Sequence, residues 1–213
     1  MGRLIVVDGP DGSGKQTQTK RLAERLNCRR LEFPTYTKSS ALIEMYLAGD
    51  FGARPEEVNV YAASTFYAVD RYASYARDWG ADYKAGKLLL CDRYATANVI
   101  HQMSKLPREK WEDYIGWMED LEYTRFGLPR PDAVVYLDLP AELSAQLMAG
   151  RDERISGDIH ERSLLYLANC RRAAQFATER LHWLRVDCAP EGQLLAPDAI
   201  TEIIIKQIGD FLC

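Results

Sequence analysis

Five short apolar runs, separated by longer segments with helical periodicity, organise this sequence. The runs occupy residues 4–7, 30–33, 88–91, 134–139 and 183–186. Because the apolar residues of each run are mostly consecutive rather than alternating, each run is typical of a β-strand that is covered on both faces. Strands that alternate with helices are joined in parallel. The pattern therefore predicts an α/β fold of three layers, in which a five-stranded parallel sheet is flanked by helices.

The segments between these runs show no repeat, no low-complexity tract and no Gly/Ser-rich linker. We therefore expect one domain over residues 1–213. Residues 149–158 lie between two helical patterns, and Gly150 and Gly157 are candidate pivots within them. This segment is predicted to form a short mobile lid.

Composition narrows the classes of partner. The formal net charge of −4 would repel phosphate overall, which disfavours a nucleic-acid partner. No apolar run approaches the roughly 20 residues of a membrane span, so we expect no membrane insertion and a cytoplasmic location. The five cysteines are scattered and form no C-x-x-C pair, which favours reduced thiols over a disulfide framework or a zinc site.

A helix is predicted over residues 56–77, with one face directed towards the core. Its expected core stripe consists of Val58, Ala62, Thr65, Val69, Tyr72 and Ala76. Tyr67 and Arg71 share a face that points away from this stripe, where they can stack on a nucleotide base and bond its edge or its phosphate. The alternative is a tyrosine-rich surface that forms a dimer.

A glycine-rich loop follows the first apolar run and precedes a helical pattern. Its sequence is Gly9-Pro10-Asp11-Gly12-Ser13-Gly14-Lys15-Gln16-Thr17. Backbone N–H groups of such a loop, a helix N-terminus and a lysine together bind phosphates. We therefore expect the phosphates of a ligand to be bound by Gly9, Gly12, Ser13, Gly14, Lys15, Gln16 and Thr17.

The loop departs from the strict phosphate-loop pattern at one position. The residue after Lys15 is normally Ser or Thr, which holds Mg²⁺, but here it is Gln16. Either the hydroxyl of Thr17 serves in its place, or the metal is held elsewhere. Asp92 ends the third apolar run, where a carboxylate can bind Mg²⁺ directly or through water. Thr17 and Asp92 are therefore the candidate metal ligands.

Other chemistry is expected at the carboxyl ends of the strands, where open α/β sheets bind their ligands. Asp8, Phe33-Pro34 and Asp92-Arg93-Tyr94 all fall at such ends. The planar guanidinium of Arg93 can grip a second phosphate. This grouping indicates a site for two substrates that both carry phosphate.

Arginines of the predicted lid are candidates for catalysis. Arg151 and Arg154 lie in the lid, and Arg162 lies on the helix that follows it. Phosphoryl transfer spreads negative charge over the transferred group, and enzymes bring arginines onto that charge. Because the loop carries Gly12-Ser13 and no basic residue there, we expect Arg151 and Arg154 to supply it. The alternative is that these arginines belong to a solvent-exposed run of charged residues with no catalytic role.

Together these segments resemble the thymidylate kinases, a family of phosphate-loop nucleoside monophosphate kinases. The resemblance rests on residues 8–17, 33–36, 67–71, 92–98 and 126–132 together with the arginine-bearing lid. It implies a phosphate-loop NTPase fold and a homodimer built by helix packing. It also implies transfer of the γ-phosphoryl group of ATP to dTMP, with Mg²⁺, to give dTDP.

The resemblance also implies roles for individual residues. Lys15 resembles the phosphate-loop lysine, and Arg93 resembles the arginine that binds the acceptor phosphate. Asp11 resembles the carboxylate near the acceptor's sugar and phosphate, and Tyr67 the aromatic residue stacked on thymine. The dTMP-binding set implied in this way is Asp11, Phe33, Pro34, Tyr36, Tyr67, Arg71, Arg93 and Asn98.

Two substitutions bear on the acceptor. Thr35 stands where many relatives carry arginine or another polar residue, and His101 stands where some carry a tyrosine close to the sugar. Three alternatives therefore stay open: a kinase for another nucleotide, a deoxynucleoside kinase, and an ATP-binding sensor without activity. A GTPase switch is disfavoured because no N-K-x-D sequence occurs.

Overall fold

The computed structural model of the protein describes residues 1–149 and 164–212. Its sheet has five parallel strands in the order β2-β3-β1-β4-β5. The strands are β1 (Arg3–Asp8), β2 (Arg29–Glu32), β3 (Leu88–Asp92), β4 (Ala133–Asp138) and β5 (Leu184–Asp187). Each predicted strand overlaps one of these, and the ends differ by at most one residue. The predicted parallel sheet is therefore confirmed.

The described helices connect the strands and cover the sheet. They are α1 (Lys15–Leu26), α2 (Ala41–Ala48), α3 (Val60–Ser74), α4 (Gly80–Lys84), α5 (Thr96–His101), α6 (Trp111–Glu119), α7 (Ala141–Ala149), α8 (Leu164–Arg180) and α9 (Pro197–Ile208). Two of them continue directly into a π-helical turn, at Tyr75–Trp79 after α3 and at Asp120–Arg125 after α6.

The central strand β1 shows how the three layers form. Leu4 and Val6 belong to one buried cluster, which also contains residues of α5, α6 and α8. Ile5 and Val7 belong to a second cluster, which contains residues of α1 and α9. Successive side chains of a strand point to opposite faces, so the apolar run contributes to both clusters. The predicted three-layer arrangement is confirmed.

The helix predicted over residues 56–77 begins at Val60, where the side chain of Asn59 caps the first turn by accepting from the N–H of Tyr61 and Ala62. Of the predicted core stripe, only Val58, which precedes the helix, is buried, and within the helix the stripe is wrong. Val69 and Tyr72 are 45% and 47% exposed, and the other exposed members are Ala62 and Ala76.

The opposite face of α3 is the buried one. It carries Ala63, Ser64, Ala68, Asp70 and Arg71. Apolar periodicity shows which face of a helix is apolar, but a charged residue can be buried instead where it finds partners. Both charged residues of this face find such partners, Asp70 among the residues of the loop 34–40 and Arg71 in Glu122.

The lid predicted over residues 149–158 lies, from residue 150 onwards, outside the described residues. The same holds for Arg151, Arg154 and Arg162. Within residues 1–149 and 164–212, no helix is both long and apolar enough to cross a membrane.

Candidate active site

The glycine-rich loop joins β1 to α1 at the carboxyl edge of the sheet. Gly9 and Gly12 have positive φ angles of 156° and 81°. A Cβ atom at Gly9 would lie 2.8 Å from the carbonyl oxygen of Leu137, and one at Gly12 would lie 2.9 Å from that of Ser144. Glycine is therefore required at both positions, because the loop packs directly against β4 and α7. The backbone takes the compact shape that a phosphate-binding loop needs.

Lys15 is folded back onto this loop. Its ammonium donates to the carbonyl oxygen of Pro10 at 2.8 Å and to Asp11 Oδ1 at 3.4 Å. Burial lowers the pKa of Lys15, and the nearby charge of Arg93 lowers it further. The loop also contains a buried hydroxyl, Ser13 Oγ, that has no hydrogen-bond partner within the described residues. A phosphate oxygen would satisfy both groups.

Arg93 and Lys15 share one carboxylate oxygen. Arg93 Nη2 donates to Asp11 Oδ1, the same atom that Lys15 contacts. Burial alone would raise the pKa of Asp11, but the positive charges of Arg93 and Lys15 hold it well below its ordinary value. Asp11 is therefore ionised and neutralises the positive charges of Arg93 and Lys15.

The imidazole of His101 is the other described partner of the Arg93 side chain. Arg93 Nη1 lies 2.7 Å from His101 Nε2. A guanidinium can only donate, so Nε2 is the accepting nitrogen in this contact. Nδ1 faces the hydroxyl of Tyr166 on α8 at 3.4 Å. Arg93 is thus held between Asp11 and His101 at the mouth of a cavity.

The two metal candidates lie in different surroundings. Asp92 is buried at the end of β3, where its Oδ2 accepts from Arg30 Nη2 at 2.6 Å and from Thr19 Oγ1 at 3.1 Å. Thr17 is exposed near the start of α1, as is Gln16. The hydroxyl that contacts Asp92 is therefore that of Thr19, two residues after Thr17, which the sequence had suggested.

A cavity of about 180 Å³ opens beside Arg93. Its wall includes the eight residues predicted for the acceptor, which are Asp11, Phe33, Pro34, Tyr36, Tyr67, Arg71, Arg93 and Asn98, together with Leu47, Tyr94, Ala97, His101 and Gln102. These residues lie in α2, α3 and α5 or in the loops that follow β1, β2, β3 and α5. The sheet topology thus gathers side chains that lie up to 91 positions apart, from Asp11 to Gln102.

One wall of the cavity, the loop 34–40, is held by Asp70 of α3. Asp70 Oδ2 accepts from the N–H of Thr35 at 2.8 Å. Its Oδ1 accepts from three hydroxyl groups, those of Thr35 at 2.6 Å, Ser39 at 2.6 Å and Ser40 at 2.9 Å. The hydroxyl of Thr35 is thus bound to protein. The loop 34–40 is thus held in place by the buried carboxylate of Asp70.

The floor of the cavity, formed by Arg71 and Asn98, is backed by a buried ion pair that the sequence did not reveal. Glu122, which is 0% exposed, accepts two hydrogen bonds from Arg71 and one from the amide of Asn98. In the sequence, Glu122 stands among Glu119 and Asp120 and has the pattern of a solvated helix face. Its place in a π-helical turn, which is common at functional sites, is visible only in the structure.

Comparison with known proteins identifies relatives of the chain. A family model described as thymidylate kinase matches residues 7–196. The thymidylate kinase of Mycobacterium tuberculosis strain H37Rv is 31% identical over 161 residues, which cover 72% of this chain and 74% of that protein. The thymidylate kinase of Caenorhabditis elegans is 30% identical over 171 residues, which cover 72% and 71%.

A solved structure agrees in fold. The thymidylate kinase of Candida albicans superposes with a TM-score of 0.72 at 19% identity, covering 98% of this chain and 92% of that one. At this level of identity the likeness concerns the arrangement of the sheet and helices. It matches the five-stranded phosphate-loop architecture described above.

Proposed function

The chain belongs to the thymidylate kinase family, and from this premise we propose how its own residues perform the family's reaction. The protein transfers the γ-phosphoryl group of ATP to dTMP and releases dTDP and ADP. The observation that supports this most strongly is the cavity beside Arg93, because it lies next to the glycine-rich loop and is lined by all eight residues expected to bind the acceptor. Two phosphate-bearing ligands can therefore meet at the carboxyl edge of the sheet.

ATP binds with its phosphates in the loop 9–17. The backbone N–H groups of the loop and the N-terminus of α1 hold the phosphate oxygens, and the free hydroxyl of Ser13 adds a further donor. Lys15 exchanges its bonds to Pro10 and Asp11 for oxygens of ATP. There it stabilises the charge that builds up as the γ-phosphoryl group leaves.

dTMP binds in the cavity with its phosphate against Arg93 and its base against Tyr67. Tyr67 offers a ring for stacking, while Arg71 and Asn98 face the edge of the base. The nucleophile is an oxygen of the dTMP phosphate, which is largely ionised at neutral pH. The reaction therefore needs no general base, and the task of the protein is to place the two phosphates in line and to neutralise their charge.

Mg²⁺ is part of the proposal, since a bound divalent cation would offset the negative charge of the ATP phosphates. Mg²⁺ is commonly held by one or two carboxylates together with substrate phosphates and water. The buried carboxylate of Asp92, at the end of the strand beside β1, fits this demand. We propose that Asp92 holds the metal and that Thr17, exposed on α1, reaches it through water.

A homodimer and a cytoplasmic location complete the proposal. The exposed face of α3 carries Tyr61, Val69 and Tyr72, which are 36%, 45% and 47% exposed. An apolar face of this kind is typical of a surface that packs against a second subunit. Light scattering of the protein and of a Val69→Lys variant tests this, because the charge should convert a dimer into a monomer. A wild-type monomer would contradict the dimer.

An assay of ADP release tests the reaction. ATP is supplied with dTMP, dUMP, UMP, CMP or thymidine, and a reaction without acceptor measures hydrolysis. We expect turnover to be fastest with dTMP. Turnover of thymidine but not of dTMP would indicate a deoxynucleoside kinase, and binding of ATP with no turnover of any acceptor would indicate a sensor.

A further inference from the structure

Glu122 lies directly behind two residues that line the acceptor cavity, Arg71 and Asn98. It is fully buried in the π-helical turn Asp120–Arg125. A buried carboxylate is costly unless charged or hydrogen-bonding partners compensate it. The partners of Glu122 are these same two cavity residues, so the carboxylate links the base-facing side chains of two different helices, α3 and α5.

The contacts of Glu122 use both of its oxygens. Oε2 accepts from Arg71 Nε at 2.6 Å, and Oε1 accepts from Arg71 Nη2 at 2.5 Å. This is the bidentate arrangement that fixes the plane of a guanidinium. Oε1 also accepts from Asn98 Nδ2 at 3.2 Å. Among the described residues, Nη1 of Arg71 is left without a partner.

Asn98 is held in one orientation by two acceptors. Besides Glu122 Oε1, the carbonyl oxygen of Ser64 accepts from Asn98 Nδ2, also at 3.2 Å. Because a carboxylate oxygen and a carbonyl oxygen both require a donor, the amide nitrogen must face them. The polar atom that Asn98 has left for a ligand is Oδ1, an acceptor. The floor of the cavity thus combines a donor from Arg71 with an acceptor from Asn98.

We propose that Glu122 is a positioning residue that fixes the hydrogen-bond polarity of this floor, so that the site takes a pyrimidine with a 4-carbonyl group and an N3–H and rejects one with a 4-amino group. The inference rests on the proposed function, since it assumes that the base of the acceptor faces Arg71 and Asn98. A 4-carbonyl oxygen accepts from Arg71, and an N3–H donates to Asn98 Oδ1. A 4-aminopyrimidine offers the reverse pattern at both positions.

A neutral residue at position 122 would weaken this polarity. Glutamine has the same shape, but one of its two terminal atoms is a donor. If that donor faces Asn98, it favours the flipped orientation of the Asn98 amide, in which the amide nitrogen faces the base. Arg71 would also lose the second acceptor of its bidentate pair. Both changes reduce the difference in affinity between 4-carbonyl and 4-amino pyrimidines.

The test compares Glu122→Gln with the matched control Glu119→Gln, which removes a partly exposed ion pair with Arg130 one turn earlier. The two acceptors are dTMP and 5-methyl-dCMP, which share sugar, phosphate and 5-methyl group. We expect wild type and control to prefer dTMP in kcat/KM by about a hundredfold or more, since a mismatched buried polar edge is rejected strongly. Glu122→Gln should reduce this preference at least tenfold and raise KM for dTMP about tenfold, while kcat changes less than about threefold.

Glu122→Asp is the second variant, because it keeps the charge and is shorter by one methylene group. It should show an intermediate preference, and thermal unfolding checks that each variant is folded. A folded variant with the wild-type preference and KM would overturn the inference. Independently of any variant, the side-chain amide protons of Asn98 in the wild-type protein should exchange slowly with solvent, and fast exchange would overturn it too. If the wild-type enzyme does not phosphorylate dTMP, the proposed function fails instead.

Discussion

Replacing Asp70 by asparagine tests whether the wall of the acceptor cavity is held by one carboxylate. Asp70 accepts four hydrogen bonds, one from the N–H of Thr35 and three from hydroxyl groups. In Asp70→Asn, the hydroxyl groups can rotate to accept from the new amide, but the rigid N–H of Thr35 cannot. If the amide oxygen turns to Thr35 instead, the three hydroxyls lose their common acceptor. At least one hydrogen bond is therefore lost in either orientation, because the NH₂ group can donate to at most two of the three hydroxyls when the amide oxygen faces Thr35.

The loss of such a bond costs about 2 kcal/mol. For a chain of this size, that corresponds to a fall in Tm of roughly 4–8 °C. If about 1.4 kcal/mol of it must be recovered when dTMP orders the loop 34–40, KM for dTMP rises about tenfold. The KM for ATP and kcat should change little, because the loop 34–40 lies on the acceptor side.

Steady-state kinetics with each substrate varied in turn, together with differential scanning fluorimetry, measures these quantities. Asp113→Asn on the exposed face of α6 is the control and should behave like wild type. An Asp70→Asn enzyme with unchanged Tm and unchanged KM for dTMP would refute the reasoning. An equal rise in both KM values would show that the damage is global.

Three further outcomes follow from the site. Lys15→Ala should lower kcat by about 10²–10³, by analogy with the loss of a preorganised donor, with the fold retained by circular dichroism; activity within threefold of wild type would contradict the role of the loop. Tyr67→Ala should raise KM for dTMP more than it lowers kcat, since base stacking contributes about 1–3 kcal/mol; an unchanged KM in folded enzyme would place the tyrosine outside the site. Burial lowers the pKa of Lys105 from 10.5 to about 7. Between pH 7 and pH 10.5 the lysine is therefore protonated in the unfolded chain but not in the folded one. The free energy of unfolding consequently rises with pH over this range. The rise in Tm from pH 7 to pH 9 should therefore be smaller in Lys105→Met, and equal slopes would refute the assignment.

The parts of the fold that sequence reasoning predicted are those that leave a local mark. A strand buried on both faces must be apolar at consecutive positions, so β1 and β4 were visible as runs. A phosphate loop must combine glycines with a lysine at a fixed spacing. The eight acceptor-side residues were found through their resemblance to a family, and the sheet topology then explains why they share one cavity.

The parts that were missed depend on partners far away in the chain. Arg71 and Glu122 are 51 positions apart, and neither position alone shows that the other neutralises it. Asp70 presents the same difficulty, since its partners are small hydroxyl residues in the loop 34–40. The prediction of which face of α3 is buried was wrong for a related reason. An apolar stripe on a helix does not show whether the sheet, a second subunit or solvent lies against it.

The single oxygen Oδ1 of Asp11 connects the two halves of the reaction. Lys15 on the ATP side and Arg93 on the dTMP side both pair with it. When a phosphate draws Lys15 or Arg93 away from Asp11, the carboxylate oxygen pairs with the remaining cation alone. The two nucleotides therefore act on a common electrostatic contact. By thermodynamic linkage, whatever effect ATP has on the affinity for dTMP through this atom, dTMP must have on the affinity for ATP. If the two nucleotides bind as proposed, we therefore expect donor and acceptor binding to be coupled through this contact.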